Sequence, residues 1–132
     1  MERRALLRAT GGWALAGLGA VVLSACARSE RVQNVEGAAF QGRAPLRQRA
    51  EQIKRAGAGL GWVMQDVYPG LIRGTLNLRG HQAVVDVPYT PTTYSIRYAS
   101  SNNLDYTGAE IHKNYNSWVK NLEQRIAAES AA

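Results

Sequence analysis

With 132 residues the chain is long enough for one domain and too short for two of ordinary size. A third of its formal charge of +6 lies early: three arginines and one glutamate fall within residues 1–25, leaving thirteen basic and nine acidic side chains and a balance of +4. That balance suits an anionic surface but gives no footing for nucleic-acid binding, and the single cysteine excludes an internal disulfide.

Arg3, Arg4 and Arg8 precede an uncharged stretch from Trp13 to Leu23. A helix needs about 20 residues to cross a hydrocarbon core, so this run reads as an export signal and not as a permanent span. Gly11, Gly12, Gly17 and Gly19 argue against a buried helix there, each weakening it by up to ~1 kcal/mol relative to alanine. Leu23-Ser24-Ala25-Cys26 closes the run and resembles the processing box of bacterial lipoproteins. The resemblance implies cleavage before Cys26 and diacylglyceryl and N-acyl chains on that residue. One acyl chain gives only reversible attachment, whereas several hold a protein stably. Ala27 follows in place of Asp, which by analogy with Gram-negative lipoproteins implies outer-membrane sorting. Arg3-Arg4-Ala5-Leu6-Leu7-Arg8 also resembles a twin-arginine export motif, from which Glu2 departs, and general export stays the default.

Residues 26–43 are small and polar, with scattered Val32, Val35 and Phe40, and read as a lipidated flexible tether; a short docked edge segment is the alternative. A single domain is expected over residues 44–128, followed by a frayed tail at 129–132. Leu46, Ala50, Ile53 and Ala56 recur at helical spacing behind Pro45, with Arg47, Arg49, Lys54 and Arg55 outward, which predicts a helix to about Ala58. Strands are expected over Trp62–Tyr68, Leu71–Leu78, His81–Tyr89 and Tyr94–Tyr98, with turns at Pro69-Gly70, Arg79-Gly80 and Thr90-Pro91-Thr92. Ser100–Asp105 reads as a loop. Thr107-Gly-Ala-Glu110 matches a capping box, with Tyr106 and Ile111 as its hydrophobic staple. A helix would then carry the stripe Ile111, Tyr115, Trp118, Val119, Leu122 and Ile126 to about residue 127. The expected fold is α+β and two-layer, a four-stranded antiparallel meander with both helices on one face. Its core would hold Trp62, Leu76, Val85, Ile96, Tyr115, Trp118 and Leu122.

Gly61-Trp62, Pro69-Gly70, His81-x-Ala83-x-Val85-x-Val87-x-Tyr89, Tyr94-Ser95-Ile96-x-Tyr98 and Ile111-His112-x-x-Tyr115-Asn116-x-Trp118-Val119-x-Asn121-Leu122 follow one another in a specific order. In this the chain resembles a family of small bacterial lipoproteins of proteobacterial type. The resemblance covers residues 53 to 126 and implies export and a fold, but no chemistry.

Candidate chemistry is sparse. His81 and His112 are the only histidines, and a zinc site takes three or four ligands. Asp86, Asp105 and Glu110 lack ligand spacing, so neither a metal nor another cofactor is expected. Ser95, Ser100 and Ser101 sit in no nucleophile elbow, and no glycine loop is built to cradle phosphate. Arg73, Arg79 and Arg97 should share the outer sheet face with Thr75, Asn77, Gln82 and Ser95. With His81, His112 and Tyr98 they form the candidate surface for a lipid headgroup, a glycan or an acidic envelope protein. The tyrosines could line a glycan or peptide groove beside Asn103, Asn114 and Asn121, but a thin core also needs large side chains with their hydroxyls at its rim. The favoured reading is a non-catalytic binding or accessory domain, lipid-anchored in the bacterial envelope and facing the periplasm. The alternative is a periplasmic hydrolase or small-ligand binder using the histidines and tyrosines.

Overall fold

The computed structural model describes residues 28–132, so Cys26 and the expected export signal lie outside the described residues. The fold is α+β. In chain order it runs β1 (Ser29–Arg31), β2 (Val35–Ala39), α1 (Leu46–Gly59), β3 (Val63–Tyr68), β4 (Leu71–Leu78), β5 (His81–Pro88), β6 (Thr93–Asn102), β7 (Glu110–His112) and α2 (Lys113–Ala131). Five antiparallel strands form one sheet in the order β2-β6-β5-β4-β3, and β1 pairs with β7 in a separate two-stranded sheet.

The expected meander is present as β3 to β6, because tight turns join runs that alternate in polarity. Leu78 faces His81 across the two-residue turn Arg79-Gly80, whose φ angles of 52° and 83° match the twist of the flanking strands. Ile72 and Leu76 on β4, Ala83, Val85 and Val87 on β5, and Ile96 on β6 are buried, while Arg73 between them is exposed. Ile53 and Ala56 of α1, with Tyr115, Val119, Leu122 and Ile126 of α2, join them in a single apolar cluster. Gly57 and Gly74 let α1 approach this end of the sheet, since a Cβ on either would overlap Met64.

Several expectations need correction. Residues 29–40 are not a free tether: β2 adds a fifth strand beside β6, and Phe40 is buried against Tyr94. A bulge between Val35 and Ala38, with Gly37 at φ 61°, destroys the alternation by which a strand is usually recognised. Ser100–Asn102 is not loop but the end of β6. Thr107 does accept from the Glu110 amide at 3.0 Å, but the chain there closes a turn and enters β7. The α2 cap is His112, whose Nδ1 accepts from the Asn114 amide at 3.2 Å. At the other end α2 continues to Ala131 and does not fray at 129. Ser130 is buried, donates to the Ala127 carbonyl at 2.7 Å and accepts from the Gln41 amide at 2.9 Å.

Six of the seven expected core residues are buried. Trp118 is the exception, half-buried at the edge of the core beside Trp62, Leu76 and Leu78, because Tyr115, Val119, Leu122 and Ile126 already fill the inward stripe of α2. Arg49, expected outward, is the largest fully buried side chain.

Candidate functional site

Arg73, Asp86 and Arg97 stand opposite one another in register across β4, β5 and β6. Arg73 donates from Nε and Nη2 to the two oxygens of Asp86 at 2.8 and 3.1 Å. Arg97 closes a similar fork on Glu36 of β2, at 2.9 to 3.2 Å. These bonds push both guanidinium pKa values up, and the one from Arg97 draws the Glu36 carboxyl below its ordinary range. Two of the three arginines expected to receive an anion are thus already paired with carboxylates. Glu36 was missed because it lies in the stretch read as tether.

Their neighbours are similarly engaged. Ser95 is buried and accepts from the Gly37 amide at 3.0 Å. Gln82 donates to Asn77 at 3.0 Å and accepts from Asn102 at 3.3 Å. Arg79 differs: it sits exposed at the β4–β5 turn and makes no ion pair among the described residues.

The other candidates are dispersed. His81 Nδ1 meets the Asn103 carbonyl near the Arg79 turn, whereas His112 pairs with Ser29 in the two-stranded sheet and caps α2. Tyr98 is half-buried, bonded to Ser101 at 2.8 Å, stacked on Tyr106 at 4.2 Å and edge-on to Tyr115 at 5.7 Å. Arg79 and His81 are the neighbours; His112 and Tyr98 belong to other parts of the molecule. Among the described residues no three His, Cys, Asp or Glu side chains converge as a metal site would require.

The aromatic set is mostly interior. Trp62, Tyr89, Tyr94 and Tyr115 are buried, and Tyr106 is exposed. Tyr94 donates to the Glu123 carbonyl at 3.1 Å, and burial, then the Glu123 charge, raise its pKa to about 12. Burial also pushes the Tyr115 hydroxyl well above its ordinary range, and it finds no hydrogen-bond partner among the described residues.

The most unusual electrostatic feature is Arg49. Its Nε donates to the Pro91 carbonyl at 2.9 Å, Nη1 to Gln52 at 2.9 Å and Nη2 to the Gly42 carbonyl at 2.8 Å, and the guanidinium lies 4.4 Å from the Phe40 ring centroid. Among the described residues no carboxylate balances it, and desolvation lowers its pKa. Three neutral oxygens and an aromatic face hold the charge, so the residue clips the end of β2 and the β5–β6 loop to α1. Helical spacing could have found it, since position 49 lies four residues before Ile53 on the inward stripe.

Two open grooves flank the sheet. One, of about 400 Å³, separates β2 from α2 and is lined by Asn34, Glu36, Asn116, Lys120 and Glu123 among others. The other, of about 390 Å³ and more apolar, lies between α1 and the end of β3. Leu46, Ala50, Tyr68 and Tyr89 line it, with Arg47, Glu51, Lys54 and Asp66 also contributing. Lys54 bonds Asp66 at 2.9 Å and pairs with Glu51 at 3.1 Å.

No protein-family model matches this chain, and neither a curated protein nor a solved structure is similar to it.

Proposed function

We propose that this protein is a lipid-anchored lipoprotein of the bacterial envelope, its export signal ending at Ala25 and its lipid on Cys26. Its α+β domain, with both helices on one face of the sheet, acts as a non-catalytic binding or accessory module facing the periplasm.

The observation that carries this reading is Leu23-Ser24-Ala25-Cys26 at the end of the uncharged Trp13–Leu23 run, behind Arg3, Arg4 and Arg8. The order of motifs, which resembles that of small bacterial lipoproteins, supports the same assignment. β1 begins at Ser29, three residues beyond Cys26. At no more than about 3.6 Å per residue, the leash is limited to roughly 11 Å, so the module rides close to its bilayer.

The partner is an envelope protein, a lipid headgroup or a glycan. Arg79, close to His81, makes no ion pair among the described residues and is the cation of the outer face available to an anionic group. Native protein purified from membranes should have the mass of the chain from Cys26 plus acyl groups, and Cys26→Ser should leave the membrane fraction without them. An unprocessed, unacylated native polypeptide would overturn the assignment.

A further inference from the structure

We infer that the end of the domain formed by Arg28, Lys113 and the Arg79-Gly80 turn docks on the anionic headgroups of the bilayer that holds the anchor. The inference rests on the assignment of lipid to Cys26 and adds which face of the module meets the membrane. At no more than about 3.6 Å per residue, Cys26 and Arg28 stand within roughly 7 Å of each other. Arg28 is fixed to the domain: its carbonyl accepts from the Lys113 amide at 3.1 Å, and the next residue, Ser29, pairs with His112. From there hydrogen bonds lead across the end of the fold. The His112 amide donates to the Leu104 carbonyl at 2.8 Å, and the neighbouring Asn103 side chain donates to the Gly80 carbonyl at 3.3 Å. Arg79 is thus brought to the same end as the anchor. The Pro69-Gly70 and Thr90–Thr93 turns lie at the opposite end, roughly 23 Å away along the eight residues of β4.

The composition of this end fits a headgroup layer. Arg28, Arg79 and Lys113 are exposed and make no ion pair among the described residues. Of the acidic groups nearby, Glu110 stands opposite Arg31 in the β1–β7 pair and Glu30 accepts from Asn116, which leaves Asp105 against those three cations. Apolar and aromatic side chains stand among them. Leu78, next to Arg79, is 41% exposed and Tyr106 43%. Half-buried Trp118 shares a notch of about 170 Å³ with Leu78 and Trp62. Tyr and Trp settle at headgroup level because one part of each ring system is apolar and the other stays wet. The opposite end also carries exposed cations, Arg43 and Arg47. The short leash decides between the two ends, since it reaches only the one at Arg28.

The test uses protein purified from membranes and reconstituted in vesicles of phosphatidylcholine with about one-third phosphatidylglycerol. With Cys26 acylated, Asn77→Cys or Gln48→Cys supplies the only free thiol for a fluorophore. Asn77 is exposed beside Leu78 and its side chain bonds only Gln82 among the described residues. Gln48 is exposed on the first turn of α1, at the opposite end. Quenching by lipid bearing a nitroxide on its headgroup should be at least about threefold stronger at position 77 than at 48, since the surface field holds only what lies within a screening length. Arg79→Asn removes one cation and builds Asn-Gly, a pair favoured in this two-residue turn, so the hairpin is spared. It should lower the docked-to-undocked ratio, read from quenching at position 77, about fivefold, equivalent to about 1 kcal/mol for one basic side chain at an anionic bilayer. About 1 M salt, with a screening length near 3 Å, should weaken docking in the same direction. Equal quenching at both positions, the same ratio on phosphatidylcholine alone, or no response to Arg79→Asn would each overturn the inference. Intact mass of the same preparation reads the acyl groups separately. An unacylated chain overturns the anchor and the inference with it, whereas an acylated chain with equal quenching overturns the docked end alone.

Discussion

The two margins of the sheet are held in opposite ways. Around β2, side chains of other elements fasten the backbone: Arg49 binds the Gly42 carbonyl, and from farther along the chain Ser130 binds the Gln41 amide, Ser95 the Gly37 amide and Asn116 the Gln33 amide. Phe40 is buried behind them. At β3 the fastening is Met64 beneath α1 and the exposed Lys54–Asp66 pair, and the strand keeps Val63, Val67 and Tyr68 in solvent. A segment of poor strand pattern is thus pinned by specific polar bonds, whereas a segment of good strand pattern is left open. Local pattern reports what a strand is able to do; long-range bonds decide what is sealed.

The largest expected effect that separates the margins comes from Phe40→Ala. Deleting this ring should cost about 3–5 kcal/mol in denaturant unfolding, through lost burial and an unfilled cavity. Val67→Thr on the open margin should stay within about 0.5 kcal/mol. Equal effects at the two positions would erase the contrast. Arg49→Ala should follow at about 2–4 kcal/mol, because one buried and two partly buried oxygens lose their donor while a buried charge is also removed. Arg49→Lys should recover only part of the loss, since an ammonium cannot reproduce the planar fork. Hydrogen exchange should quicken around Gly42 and Phe40 in either variant, and an unchanged exchange pattern would remove Arg49 from its role as a clip.

What the sequence made legible follows the same division. The meander, its turns and most of the core could be read because each depends on local alternation, as with Ile72, Leu76 and Val85. β2 was legible only as the alternative reading of a docked edge segment, because its bulge interrupts the period and its side-chain bonds come from residues 58 to 89 positions away. The capping box at Thr107 misled for a related reason. The Thr107–Glu110 bond is local and forms, but pairing of Glu110–His112 with Ser29–Arg31 claims the next residues for a strand. At the candidate surface, the arginines of the outer face were legible from period two. Glu36, which occupies Arg97, was hidden with the rest of β2.

Asn116 gives a smaller test of the sealed margin. Its amide accepts from Gln33 and donates to the Arg31 carbonyl and to Glu30, at 2.9 to 3.1 Å. Asn116→Ala should cost about 1–3 kcal/mol, the penalty for leaving partly buried backbone groups without partners. On the open margin, Lys54→Ala breaks an exposed pair and should cost about 0–1 kcal/mol. Measuring both by chemical denaturation orders the margins again, and a larger loss for Lys54→Ala would reverse them.

The smallest effect lies at Glu36 and depends on pH. Its carboxyl is lowered below 4.5 in the folded protein, chiefly by the Arg97 hydrogen bond. A folded-state pKa below the unfolded one means that the unfolded chain binds the proton first as pH falls. The stabilisation is therefore complete above the ordinary carboxylate range and disappears as pH drops through the folded value. Glu36→Gln should show a small, constant loss of stability near neutrality, and its difference from the parent should shrink below about pH 4. Because both partners are more than half exposed, about 1 M salt, with a screening length near 3 Å, should also narrow the gap at neutral pH. A gap that survives both acid and salt would show that Glu36 secures β2 by packing and not by its charge.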